Sequence, residues 1–381
     1  MTNTIDDDKV VLKRDPLIVN IALGQGGYNS VRAFLDKPFA KPENCFAINY
    51  ETDLRSANLI DANNKIALTG YGAGHDRNKA RNDLIQGIQT KVSGELAEKI
   101  NPKADKIYIH LAGGGGCGSG IGALVAGLVS NENFIPNRHG RRIPVEVILY
   151  KPADTTDASN VGEWQNFNEC LKEFDTLVNK QAVALYIADL SSSNLDNPTE
   201  RNAEVNREVA ELLYRFDCVN YLSNSSNLDF EDRYKLSVTP GCRGLLRFDK
   251  DGNYSSPFVL PNGESCRRMG YEIEEGQDNI VTGITKTLGV ESLDKSFCGI
   301  YPATANACYP FVIYSGYDVP LNLKAKAQNT VSELEKKRQN LVKAEKNQAK
   351  DSFDLIKQNR ESMEKANQMG NMTLEDLLGS I

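Results

Sequence analysis

Apolar runs of seven to nine residues alternate with polar or amphipathic stretches through the first 216 positions. LIVNIAL (Leu17 to Leu23) precedes the helical pattern GQGGYNSVRAFL. NCFAINY (44–50) precedes ETDLRSANL, and KIYIHLA (Lys106 to Ala112) precedes a glycine cluster followed by IGALVAGLVS (Ile121 to Ser130). PVEVILY (144–150) precedes KPADTTD, and AVALYIADL (182–190) precedes a polar segment that ends in the helical NREVAELLYRF. Short apolar runs bounded by glycine, proline and acidic residues read as buried strands. Repeated strand, loop and helix predict a parallel sheet covered on both faces. Ligands of such sheets bind at the carboxyl ends of the strands, so chemistry is expected in the loops that follow these runs.

Those loops are rich in glycine, with six of the eight positions 113–120. Glycine in regular structure costs up to about 1 kcal/mol relative to alanine, so a cluster implies positive φ or close backbone approach. A tight turn against the neighbouring strand is one account, although one or two glycines would serve it. The other is an anion site, because free amides and the positive helix end gather phosphate. Ser119 adds a hydroxyl where a phosphate oxygen would lie. Gly24 to Gly27, Glu51 to Asp53 and the segment GYGAGHDRN (Gly70 to Asn78) fall on the same predicted sheet edge, as several consecutive phosphates would require.

Composition narrows the class. The 381 residues are 40% hydrophobic with a formal net charge of −7, which suits a large α/β body and argues against whole-surface binding to nucleic acid. No signal-like or membrane-spanning run is visible, so a soluble cytoplasmic protein is expected. Eight cysteines without a CxxC, and three dispersed histidines, point to reduced core thiols rather than zinc. GQGGYN faintly resembles a dinucleotide-binding GxGxxG, as in an oxidoreductase, but Asn29 stands where the third glycine belongs. The competing reading is a nucleoside triphosphatase. No GxxxxGK[ST] is present, so its triphosphate would be held mainly by backbone amides.

GGGCGSG (Gly114 to Gly120) resembles the GGGTGSG signature of the tubulin and FtsZ superfamily, with Cys117 at the usual threonine. NLDFED (Asn227 to Asp232) resembles that superfamily's NxDxxD loop, and the resemblance runs from about Leu17 to about Pro320. It implies a Rossmann-like parallel-sheet GTPase domain joined by a central helix to a smaller mixed α/β domain. It also implies four phosphate loops. These are Gly24, Gln25, Gly26 and Gly27; Thr52 and Asp53; Gly72, Ala73 and Gly74; and Gly113, Gly114, Gly115, Gly116, Cys117, Gly118, Ser119 and Gly120. Asn206 matches the asparagine that reads guanine, and Asn227, Asp229 and Asp232 would act on the nucleotide of the next subunit. GTP, GDP and Mg2+ are the implied ligands, with no side chain assigned to the ion. Head-to-tail self-assembly into filaments follows from a site completed by a neighbour. The FtsZ pattern Glu-Gly-x-x-Arg is missing from KPADTTD, and Cys117 removes the threonine hydroxyl. Read without the resemblance, Asp229 and Asp232 are three apart and would share a helix face, either positioning water or decorating a helix N-terminus.

After residue 232, GLLRFDKDGNYSSPFVLPNG reads as strands around Asp251-Gly252, and SFCGIYPATANACYPFVIYSGY as two further strands. Pro320 opens a lysine-rich stretch free of glycine and proline up to Gly370, predicting one helix of about 70 Å. A solvated helix is the plain account. The functional one is a filament arm or a docking site for a DNA-binding adaptor, shared with the tip NMTLEDLLGSI. The expected division is 1–222, 223–320 and 321–381. The helical extension looks most like the plasmid- and phage-encoded TubZ branch, which moves DNA, with a diverged division FtsZ as the alternative.

Overall fold

The computed structural model describes residues 10–14, 16–38, 40–87, 92–131, 134, 141–222, 228–301 and 310–370. A strand, β1 (Val10–Arg14), pairs antiparallel with β8 (Val219–Leu222). The alternating series is then β2 (Ile18–Leu23), α1 (Gly24–Leu35), β3 (Cys45–Tyr50), α2 (Glu51–Leu54), β4 (Lys65–Leu68), α3 (Arg77–Gly87) and α4 (Ser93–Lys99). It continues with β5 (Lys106–Ala112), α5 (Cys117–Val129), β6 (Val145–Lys151), α6 (Val161–Asn179), β7 (Ala184–Asp189) and α7 (Pro198–Asp217). Strands β4, β3, β2, β5, β6 and β7 lie side by side and parallel. Every residue of β2, β3 and β6 is buried, as expected for strands covered on both faces.

The second half begins with α8 (Phe230–Ser237) and continues with β9 (Gly241–Phe248), β10 (Tyr254–Ser255), β11 (Cys266–Glu274), α9 (Asp278–Thr287), β12 (Leu293–Tyr301) and β13 (Phe311–Tyr317). Its mixed sheet is not separate from the first. β9 pairs in parallel with β7 from Ala184↔Gly241 to Tyr186↔Arg243, so the described strands other than β1 and β8 form one eleven-stranded sheet. The turn expected at Asp251-Gly252 is present, with Gly252 at φ +83 and β10 folding back on β9.

Charged residues occupy strand positions that alternation would assign to apolar side chains. Lys106 on β5 meets Asp217 at 2.5 Å and Glu146 at 3.0 Å, and Tyr108 donates to Asp217 at 2.6 Å. Arg243 on β9 pairs with Glu146 and donates to the carbonyls of Leu236, Ser237 and Thr239. Burial alone would raise the Glu146 pKa, but Arg243 and Lys106 beside it hold it below its ordinary value. The network therefore ties the last residue of α7 and the end of α8 to the sheet.

Helix α10 (Leu321–Gly370) follows Pro320 without a break. The chain divides into two compact units, Met1–Thr155 with Gly162–Asn329, and Thr156–Val161 with Thr330–Ile381. Within the second, Asp157 caps the turn Ala158–Asn160, Lys337 donates to the Thr156 carbonyl at 3.3 Å, and Phe353, Leu355 and Ile356 are exposed. The tip 371–381 lies outside the described residues. No helix among the described residues is long and apolar enough to cross a membrane.

Candidate functional site

Four of the segments singled out by sequence meet at the carboxyl ends of β2, β3 and β5. Gly24 sits at φ +68, and a Cβ there would stand 2.9 Å from the Gly118 amide nitrogen and 3.2 Å from Cys117 Cβ. Gly26 and Gly27 are pressed against Ala112 and the His110 carbonyl. A Cβ on Gly116 would stand 2.7 Å from the backbone of His75, and one on Gly120 would strike the Arg77 carbonyl. Asn166 on α6 clamps two of these loops, donating to the carbonyls of His75 at 3.0 Å and Gly114 at 3.2 Å. Gln25 accepts from Ser56 at 3.0 Å, which brings the exposed Thr52 and Asp53 of α2 alongside the start of α1.

The glycines act in a different place from the loop expected over 113–120. Helix α5 begins at Cys117, so Gly118, Ser119 and Gly120 form its first turn, and Gly24 to Gly27 likewise open α1. These glycines are required because strand, helix and neighbouring loop approach backbone to backbone, and a side chain would drive them apart. The Ser119 hydroxyl, expected to face a phosphate, is instead buried and donates to the Gly115 carbonyl. Burial pushes the Cys117 thiol up to about 12, with Asp53 and Asp83 adding to the rise, so it stands neutral in that first turn. The amides of Cys117, Gly118 and Ser119 have no acceptor within an α-helix, whereas that of Gly120 donates to the Gly116 carbonyl at 3.2 Å. Among the described residues nothing lies closer above Gly115 than the Ala112 carbonyl at 3.9 Å, and Gly72 and Gly74, at φ +131 and +57, border open space.

Beside this convergence lies a cleft of about 410 Å³ between α1 and α7. Asn29, Arg32 and Asp36 line one wall, Glu200, Asn206 and Arg207 the other, and the half-exposed Leu195 its edge. Asn206 is only 8% exposed, yet its amide makes no hydrogen bond among the described residues. Asn206 is not among the buried polar atoms left without a partner, so its amide, which can both donate and accept, meets the water of the cleft.

The acidic pair is elsewhere. Asp229 is the N-cap of α8, and its carboxylate accepts the Asp232 amide at 2.9 Å. Asp229 is exposed, and Asp232 keeps 26% of its side-chain surface. Burial and the neighbouring Asp229 raise the Asp232 pKa above the ordinary carboxylate value. Asn227 lies outside the described residues. Helix α8 packs where β5 and β6 begin, with Tyr234 donating to the Arg142 carbonyl at 3.2 Å and Phe230 and Tyr234 lining a cleft with Asp105 and Pro144. The glycine loops follow the opposite ends of those strands. At roughly 3.3 Å per residue, the seven residues of β5 put more than about 20 Å between the two sets.

No protein-family model matches the sequence, and no curated protein sequence matches it. Solved structures do. TubZ of Clostridium botulinum phage c-st superimposes with a TM-score of 0.65 at 21% identity, over 85% of this chain and 100% of that one. The GTPγS-form protofilament of Bacillus thuringiensis serovar israelensis TubZ gives 0.65 at 20% identity, over 87% and 94%. CetZ from Methanosaeta thermophila gives 0.57 at 16%, over 91% and 99%. The chain has the tubulin/FtsZ fold.

Within the tubulin/FtsZ fold, a polar layer beneath the loops lies hidden in runs that read as apolar strands. His110 on β5 is fully buried, hydrogen-bonded to Ser30 at 2.9 Å and Asn20 at 3.0 Å, while Ser30 also meets the Tyr150 hydroxyl at 2.7 Å. Burial lowers the His110 pKa to about 3, against about 6.5 for the unfolded chain. Between these values the unfolded state binds the extra proton, so stability is lost as pH falls below about 6.5. Replacing His110 with Gln should flatten this dependence by up to about 1.4 kcal/mol per pH unit between pH 6.5 and 5. Urea midpoints at pH 7, 6 and 5 measure it, and equal slopes in both proteins would discard the assignment.

Proposed function

We propose that this chain is a GTPase that polymerises head to tail and hydrolyses GTP at each junction between subunits. One observation carries the reading. The glycine loops and the Asp229–Asp232 helix lie at opposite ends of the same strands, so neither can complete a hydrolytic site within one chain. Stacking a second copy along the strand direction brings the acids of one over the loops of the other, a heterologous contact that extends without closing.

The triphosphate lies on the first-turn amides of α1 and α5, over Gly115 and beside Gly72 to Gly74. The base enters the α1–α7 cleft, where Asn206 supplies an amide suited to the guanine edge. Among the described residues, no three His, Cys, Asp or Glu side chains are grouped to hold a metal. A Mg2+ ion would therefore take its oxygen ligands chiefly from phosphate and water, and would neutralise charge on the phosphates. Residues 1–222 form the nucleotide-binding domain in this reading, 223–320 the activating domain, and 321–381 the helical extension. Similar chains support it: Bacillus thuringiensis TubZ is described as GTPγS-form and GDP-form protofilaments and as a two-stranded filament. The extension and its tip are assigned to a DNA-binding adaptor, for segregation of plasmid or phage DNA.

The test is GTP turnover and light scattering as functions of protein concentration. Specific activity should rise steeply above a critical concentration, together with scattering. Turnover strictly linear in protein, with no scattering, would overturn the proposal.

A further inference from the structure

We infer that Arg141 is a cation supplied across the subunit junction to the phosphates of the neighbouring chain. The inference rests on the filament reading above and adds a component to the same site. Its starting point is a shortage of basic side chains at the phosphate loop itself, since Arg32 and Arg207 line the cleft assigned to the base. The loop Gly113 to Gly120 contains no lysine or arginine. The basic side chains next to it are already bound: Arg77 to Glu173 at 2.8 Å and to the Ser119 carbonyl, Lys79 to Asp83 at 2.7 Å, and the buried Lys151 to Asp154 and Asp189. Backbone amides can cradle a triphosphate in its ground state. The charge that shifts toward the β–γ bridging oxygen as the bond to phosphorus breaks is stabilised further, beyond what Mg2+ would supply, by a cation that reaches it from the neighbouring chain.

The acidic end of the molecule holds one. Of the two consecutive arginines before β6, Arg142 turns inward and donates to the carbonyls of Ser130 and Ala182. Arg141 turns outward, 56% exposed, with its guanidinium 2.6 Å from Glu231 and 5.4 Å from the ring centre of Tyr234. Both contacts are on α8, the helix that carries Asp232 and is capped by Asp229. The guanidinium is thus attached to the same element as the two acids. It also offsets the repulsion that Asp229, Glu231 and Asp232 would exert on an approaching triphosphate. In the step itself, the oxygen of a water bonds to the γ-phosphorus while the bond to the bridging oxygen breaks. One water proton passes to the Asp232 carboxylate, and GDP leaves with its terminal oxygen paired to Arg141.

The experiment compares Arg141→Ala, Arg141→Lys and Glu231→Gln. Turnover is measured per polymerised subunit, and assembly separately by pelleting with GTPγS. Arg141→Ala should lower turnover on the order of 10³-fold, the scale reported for cations supplied in trans, while pelleting is retained. Arg141→Lys should recover part of the rate. Glu231→Gln, which frees the guanidinium without removing it, should stay within about threefold of the parent, the context scatter of a weak exposed pair. If Arg141→Ala fails to pellet alone, it is doped into parent filaments, where turnover should fall in proportion to the doped fraction. An undiminished rate in Arg141→Ala overturns the inference, as does an equal loss in Glu231→Gln, which would make the pair a positioning contact for α8. A parent protein that hydrolyses GTP without assembling removes the filament reading first, and this inference with it.

Discussion

Asp232→Ala is expected to lower GTP turnover by about 10²- to 10⁴-fold, the usual range for removing a general base, while leaving assembly with GTP intact. The carboxylate sits behind the Asp229 cap, partly buried, with its pKa raised by burial and by Asp229. A raised value makes it a better proton acceptor than an ordinary surface aspartate, and its charge is lost at a higher pH than usual as the medium is acidified. The hydrogen bond that holds the helix start runs from the Asp232 amide, not its carboxylate, so alanine at 232 leaves the cap in place. Asp229 needs a gentler change. Asp229→Asn keeps an N-cap acceptor and removes only the charge, whereas Asp229→Ala would also cost about 1 kcal/mol of helix stability. Phosphate release per pelleted subunit distinguishes the cases. Polymer that turns over GTP at the parental rate in Asp232→Ala would reject the assignment, and so would a variant unable to assemble.

The second large effect is expected at Gly115. A Cβ there meets nothing among the described residues closer than 3.9 Å, and its φ is not in the left-handed region, so Gly115→Ala should fold with a Tm within about 2 °C of the parent. The space that Cβ fills is where the triphosphate is placed. GTP affinity should therefore fall by tenfold or more, about 1.4 kcal/mol for each factor of ten. Gly120→Ala is the contrasting case. Its Cβ would strike the Arg77 carbonyl where α3 and α5 pack together, and overpacking of this kind costs about 1–3 kcal/mol whether or not nucleotide is present. Thermal melts with and without GTP separate the two variants. Parental affinity in Gly115→Ala would show that nothing binds over the loop.

The same glycines show how far the sequence could be read. Their clustering after strand-like runs located the loops, because few other needs explain six glycines in eight residues. It did not locate the start of α5, which is Cys117 and not Ile121, since glycine disfavours helices and the close approaches to Leu23 and Arg77 arise only in three dimensions. Alternation likewise revealed the apolar strands but not β11, CRRMGYEIE, whose Glu272 is buried against Arg233 and whose Arg268 donates to Thr239. Paired charges mimic an exposed segment when only one partner is in view. Asn166 was illegible for a similar reason: a polar residue between Trp164 and Phe167 reads as the wet face of α6, yet its two partners lie 52 and 91 positions away. The Asp229–Asp232 spacing was visible, but the separation of these acids from the loops depends on which ends of the strands each occupies.

That separation implies an asymmetry of number. In the filament proposed above, a row of chains would contain as many nucleotide cradles as subunits, but one fewer finished junction, because the cradle at one terminus would face solvent. A nucleotide there would be held without a means of cleaving it until another chain arrived. Breaking a row would create one more cradle of this kind, at one of the two new ends and never at both. The direction of the β-strands inside each subunit would thereby determine which end of a growing row stays loaded, and the age of the polymer would be recorded along its length.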